Sequence, residues 1–310
     1  MTQHSHVLRA GLLAATLGAT GIAQADEVRF ATPPWPGATV KTEVASQLLE
    51  RLGYATSVKE ASTAIILEAL VGGDIDVDMA LWRPSQGAML DPRLESGALV
   101  EVAQNIQGAR FKLAVPGQAW EAGVHSMADL ADHAERFNHS FYGIEPGNVG
   151  NEIMQGAIEN DAYGLGDWRV VGSSVTGMLS QLEANNDDAR WTAFLAWEPH
   201  WMNVVYDVHY LKDPEGLWGA DSTVSTIANA DFLEREPNVA ALLEQLVVPI
   251  EVQNAWVQAF GREERPLAEV AGEWLDANPD RVGEWLEGIT TADGSTPALK
   301  AYTNAQLADH

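Results

Sequence analysis

Apolar and polar positions along the chain fall into two alternating rhythms. "EVRFAT" alternates with period two, as a half-buried strand does, and stops at "PPWPG". In "ATVKTEVASQLLERLGY" the apolar residues Val40, Val44, Leu48 and Leu49 share one helical face that ends at Gly53. "TSVKEAS" then predicts a strand and turn, "TAIILEALVGG" a helix closed by glycines, and "DIDVDMALW" a third strand. After "FKLAVPG" the rhythm restarts with a capped helix "SMADLADHAERF", a strand "SFYGI", a loop "EPGNVG" and a helix "NEIMQGAIEN". The strand "WRVVG", the helix "TGMLSQLEANN" and the strand "WTAFLAW" complete it. From about Asn229 the pattern is mostly helical, with Trp256, Trp274 and Trp285 spaced to suit helix packing. Alternation of this kind implies an α/β fold with mostly parallel sheets flanked by helices. Two such units predict two lobes, with chain crossings near Lys112 to Pro116 and near Leu217 to Thr226.

The first 25 residues stand outside these rhythms. A polar start with Arg9, an apolar run from about Ala10 and an A-x-A pattern at Ala23 and Ala25 read as a secretory signal peptide cleaved near Ala25. No later stretch approaches the ~20 apolar residues of a membrane span. The chain has no Cys, so disulfides, thiolate metal sites and a lipid-modified N-terminal Cys are all excluded. A free periplasmic protein of a two-membrane bacterium, acting as a monomer, is the expectation. Arg9 is the only charge in the leader, so maturation leaves 17 Lys plus Arg against 44 Asp plus Glu, a net −27. That balance argues against nucleic acid. It serves either solubility in a salty exterior or steering of cations.

Candidate chemistry gathers where open α/β sheets place ligands, beyond the carboxyl ends of strands. Trp35 follows the first strand, Trp82 ends the third, Trp197 ends "WTAFLAW", and each has a Pro within two residues. Rings at strand ends either plug a core or face a cleft. In a cleft they suit a quaternary ammonium group, which has no hydrogen to donate and is held by aromatic faces at about 0.5–2 kcal/mol each. Catalytic and metal signals are poor. "GSSVTG" has Thr176 where a nucleophile elbow needs its second Gly, and no Walker loop, H-E-x-x-H or G-x-G-x-x-G occurs. "DIDVDM" has Met79 where a calcium loop needs Gly, and reads instead as a solvated strand edge. No enzyme activity, metal or cofactor is expected.

"PPWPGATVK", "DIDVDMALWRP", "FYGIEPGNVGNE" and "FLAWEPHWMN" together resemble the substrate-binding proteins of glycine betaine and choline ABC transporters, over nearly the whole mature chain. The resemblance implies a two-lobed periplasmic binding fold of type II, joined by two hinge crossings. The divisions would be a signal peptide at 1–25, lobe 1 at 26–111 and 219–310, and lobe 2 at 112–218. It implies a cage of Trp35, Trp82 and Trp197, with Phe111 where choline-binding relatives present a Tyr and Asn148 matching a ligand-contacting Asn. The partner would be an inner-membrane ABC permease with its ATPase.

One position departs from that pattern. Choline-binding relatives place an Asp two residues after the first Trp, and here it is Gly37. A buried cation without a partner is costly, so a ligand carrying its own carboxylate, such as glycine betaine, is favoured. Gly37 and Ala38 open a helix whose N-terminus would receive that carboxylate, unless it is an ordinary capped start. His200 either adds a donor or packs on Trp201. Glu145 and Glu198 either hold their turns or reach the cage, and the second case weakens the argument from Gly37. Choline, carnitine, dimethylsulfoniopropionate and trimethylamine N-oxide are the alternative ligands, and a choline-ester hydrolase on the same lobes is the alternative class.

Overall fold

A computed structural model describes residues 27–187 and 190–308. The proposed signal peptide lies outside the described residues. The first α/β unit runs β1 (Val28–Thr32), α1 (Pro36–Arg51), β2 (Thr56–Glu60), α2 (Thr63–Gly72), β3 (Val77–Arg83) and α3 (Gly87–Glu95). β4 (Leu99–Pro116) leads through α4 (Gly117–Glu121) to β5 (Ser140–Tyr142), α5 (Val149–Glu159), β6 (Arg169–Val171), α6 (Val175–Asp187) and β7 (Ala193–Glu198). β8 (Val208–Tyr210) and β9 (Ser222–Asn229) follow, and the remainder is helical to Ala308. No helix of the described residues is long and apolar enough to cross a membrane.

The strands order as β2-β1-β3-β9-β4-β7-β5-β6, with β8 on β4. Pairing is parallel within β2-β1-β3 and within β7-β5-β6, and antiparallel wherever β9 or β4 takes part. The sheets are therefore more mixed than the βαβ rhythm suggests. β4 joins them: it pairs with β9 from Leu99 to Ala109 and with β7 from Arg110 to Ala114. Its first half and β9 were not signalled by apolar alternation. Gln104, Asn105 and Gln107 interrupt the one, and "STVSTIAN" is too polar to announce the other. The segment expected as a capped helix forms two 3₁₀ pieces, Met127–Asp129 and Ala131–Phe137, although Ser126 and Asp129 do make the capping box. The three C-terminal tryptophans pack as expected, Trp256 edge-on to Trp274 at 4.9 Å and Trp274 stacked on Trp285 at 5.3 Å.

The solvated strand edge expected of "DIDVDM" is a correction. β3 lies between β1 and β9, and Asp76 and Asp78 are each only 1% exposed. Burial is tolerable because donors surround them. Asp76 accepts the Arg29 amide at 2.8 Å and the guanidinium at 2.9 and 2.6 Å. Asp78 accepts the Ala80 amide at 3.0 Å and faces the buried Lys41, whose Nζ donates to Asn105 at 2.6 Å. Desolvation pulls Lys41 down to about 7 and pushes Asp78 up to about 7. Asn105 donates onward to Met79 O and Thr226 Oγ1, so α1, β3, β4 and β9 share one polar network.

Removing the partly exposed guanidinium takes two hydrogen bonds from the buried Asp76 carboxylate and leaves it the Arg29 amide. Arg29→Met should therefore destabilise the protein by about 1.5 kcal/mol in urea unfolding, with the denaturant slope unchanged. A loss below about 0.5 kcal/mol would show that the Asp76 carboxylate does not depend on the guanidinium.

Candidate functional site

The two α/β units meet at the ends of their strands, and there Trp35, Trp82, Phe111, Ile144 and Trp197 line a narrow void. All five are buried. Trp35 and Trp82 come from the β1-β3 unit, Ile144 and Trp197 from the β5-β7 unit, and Phe111 from the strand that joins them.

Local hydrogen bonding fixes each wall. Trp35 is the N-cap of α1, and its carbonyl accepts both the amide and the hydroxyl of Thr39, at 2.9 and 3.1 Å. Trp82 exchanges bonds with Gln86: its amide donates to Oε1 at 2.7 Å and its carbonyl accepts the Gln86 amide at 2.9 Å. Phe111 and Trp197 are directly opposite in the β4-β7 ladder, so their side chains stand on one face. The Trp82 and Phe111 rings lie 5.8 Å apart, and Trp218 backs Phe111 edge-on at 5.7 Å. Beyond Trp197 the chain turns through a cis Glu198–Pro199 peptide, and Asn203 holds that turn by donating to the carbonyls of Trp197 and His200.

Side-chain contacts span the units. Trp35 Nε1 donates to Glu145 Oε1 at 2.9 Å, across 110 residues of sequence. On another side, Arg262 lies over the Trp201 ring at 5.3 Å, where the π-helical turn Gln258–Arg262 brings Gly261 against Pro36 and Trp201. A Cβ on Gly261 would sit 3.1 Å from each of these two side chains, so glycine permits the approach. Glu198 instead pairs with Arg110 at 3.4 Å.

Of the residues singled out in the sequence, Trp35, Trp82, Phe111 and Trp197 are brought together around the void and the others are not. Asn148 is buried as the N-cap of α5, accepting the Gly150 amide at 2.9 Å and donating to Glu145 at 3.3 Å. Gly37 and Ala38 do open α1, and no side chain caps that terminus. The Gly37 carbonyl, however, accepts from Gln253 Nε2 at 2.6 Å, and the same nitrogen sits 2.5 Å from where a Gly37 Cβ would be. His200 is buried between Trp197 and Trp201, with ring centroids at 4.8 and 5.2 Å, and its Nδ1 accepts the Met202 amide. Ile144 was missed, although it closely follows a strand, as Trp35 does. Gln253 gave no local signal, being 216 residues from Gly37.

A family model described as the substrate binding domain of ABC-type glycine betaine transport systems matches residues 26–277. A solved structure titled as an ABC-transporter choline binding protein in complex with choline is 32% identical, with a TM-score of 0.87, covering 90% of this chain and 98% of that one. A Chromohalobacter salexigens protein called uncharacterized protein ORF1 is 41% identical over 42% of this chain and 84% of its own length. A Listeria monocytogenes glycine betaine/carnitine transport binding protein is 28% identical over 53% of this chain, and the match spans about half of that protein, 54%. The fold is that of the two-lobed periplasmic binding proteins.

His200 generates a prediction about acid stability. Burial pulls its imidazole down to about 3, below the unfolded value near 6.5. The stability tied to the neutral ring is thus complete above about 6.5 and is lost progressively as pH falls toward 3. Between pH 7 and 5 the loss through this group should be about 2 kcal/mol. His200→Asn, whose Oδ1 keeps an acceptor for the Met202 amide, should lose that much less in urea unfolding at the two pH values. An equal loss in both proteins would remove His200 from the acid response.

Proposed function

Because this chain belongs to the family of substrate-binding domains of ABC-type glycine betaine transport systems, we propose that it is the solute receptor of an ABC importer and holds a quaternary ammonium ligand between its lobes. The observation that carries this reading is the void walled by three tryptophans and a phenylalanine contributed by both units and by the strand joining them. Three or four cation–π contacts of about 0.5–2 kcal/mol, with apolar burial, suffice for the roughly −8 kcal/mol of micromolar binding. Choline, bound in the choline-binding neighbour, has the same chemistry.

In this reading the protein is exported to the periplasm and delivers its ligand, as a monomer, to an inner-membrane permease with its ATPase. Lobe 1 comprises residues 26–111 and 219–310, and lobe 2 residues 112–218. The change of partner along β4 at Ala109 and Arg110 supports the first boundary. The open form separates Trp35 and Trp82 from Trp197, and ligand favours the closed form because only that form presents all the walls. Glycine betaine, choline, carnitine, dimethylsulfoniopropionate and trimethylamine N-oxide all carry a head group of suitable chemistry.

Calorimetry against choline and its neutral carbon isostere 3,3-dimethylbutan-1-ol isolates the cation–π component. Choline should bind at least about thirtyfold more tightly, since shape and apolar area are nearly matched and only the charge differs. Equal affinities would reduce the void to an apolar slot. Trp35→Ala, Trp82→Ala and Trp197→Ala should each weaken binding by at least about tenfold, roughly 1.4 kcal/mol, while the proteins remain folded. Wild-type affinity in two of the three would dismantle the cage.

A further inference from the structure

We propose that Glu145 supplies the counter-charge of the aromatic cage and selects ligands of net positive charge over zwitterions with the same ammonium head. The inference rests on the cage reading above. The residues lining the void bear no ionisable group, so a cation entering it meets no formal negative charge from the walls themselves. Glu145 follows the lining residue Ile144 directly, and its Oε1 takes the Trp35 indole N–H at 2.9 Å. Among the described residues no basic side chain ion-pairs with Glu145, whereas the other acid of the site, Glu198, has Arg110 at 3.4 Å. The charge of Glu145 is therefore not cancelled within the protein.

Its position is built. The Asn151 side chain accepts the Ile144 amide at 3.2 Å and donates to the carbonyls of Ile144 and Glu145 at 3.0 and 3.2 Å. Asn148 Nδ2 lies 3.3 Å from Glu145 Oε1 and fixes the carboxylate from the other side. Gly143 lets this loop close on Asn151, whose Oδ1 lies 1.8 Å from where a Cβ would stand.

Two physical effects follow. A carboxylate accepting an indole N–H deepens the negative potential of the ring face, and its full charge attracts a cation beside that ring. Choline and tetramethylammonium gain from both. Glycine betaine carries its own carboxylate, which already offsets its ammonium and is repelled by a second one. The alternative receptor for that carboxylate, the start of α1, has its Gly37 flank filled by the Gln253 amide.

The test is calorimetry of wild type, Glu145→Gln and Glu145→Asp against tetramethylammonium, choline and glycine betaine. Gln retains an acceptor for the Trp35 N–H and deletes only the charge; Asp retains the charge on a shorter arm. Thermal unfolding checks that each variant is folded. Glu145→Gln should lose at least tenfold for tetramethylammonium and choline, about 1.4 kcal/mol, and less than threefold for glycine betaine. Glu145→Asp should recover part of the loss for the two cations. Equal losses for all three ligands would show that Glu145 only holds the lobes together, and unchanged cation affinity in Glu145→Gln would remove its charge from recognition; either overturns the inference. Failure of wild type to bind any of the three would sink the cage reading itself, and the inference with it.

Discussion

A quaternary ammonium group carries a full positive charge and offers no hydrogen bond. A protein that takes it out of water has only aromatic faces, apolar contact and a distant negative charge with which to replace its hydration. Everything distinctive about this chain's cleft answers that constraint. The walls are three indoles, a phenyl ring and Ile144; Asn148 and His200 accept backbone amides of their own turns, and the Glu145 carboxylate takes the Trp35 indole N–H.

The same constraint explains why the walls are divided between lobes. A closed aromatic box on one rigid element would have no entrance, whereas one split across a hinge fills and empties by rotation. β4 makes such a division workable, since one continuous strand pairs with β9 in the first sheet and with β7 in the second, and it carries Phe111 just past the change of partner. Beneath it, Lys41, Asp78, Asn105 and Thr226 tie α1 and β3 to β4 and β9. Trp35 and Trp82 stand on α1 and β3, two of the elements this network joins. Across the two units, Trp35 bonds to Glu145 and Arg262 lies over Trp201.

Much of the fold was legible because the first three strands and their helices obey simple periodicities, and each tryptophan of the cage stands beside a proline at a strand end. β9 and the first half of β4 were illegible for the opposite reason. Their polar residues look solvent-facing but satisfy buried partners, as Asn105 and Thr226 do. Asp76 and Asp78 misled in the same way, since nothing near them in sequence announces Arg29 or Lys41. Within the candidate site, the four rings stand at or near strand ends in the sequence pattern, and the structure brings them together. Asn148 and His200 are consumed by their own turns, and the contacts that give Glu145 and Gln253 their meaning reach Trp35 and Gly37 from the far side of the chain.

The central claim is that residues from two lobes close around one cation. Small-angle X-ray scattering of the protein alone and with saturating choline tests it most directly, because closure changes the shape of the whole particle and not only the environment of a ring. The radius of gyration should fall on ligand addition, and fall less in Trp197→Ala at the same choline concentration. An identical radius with choline demonstrably bound to wild type would contradict the account.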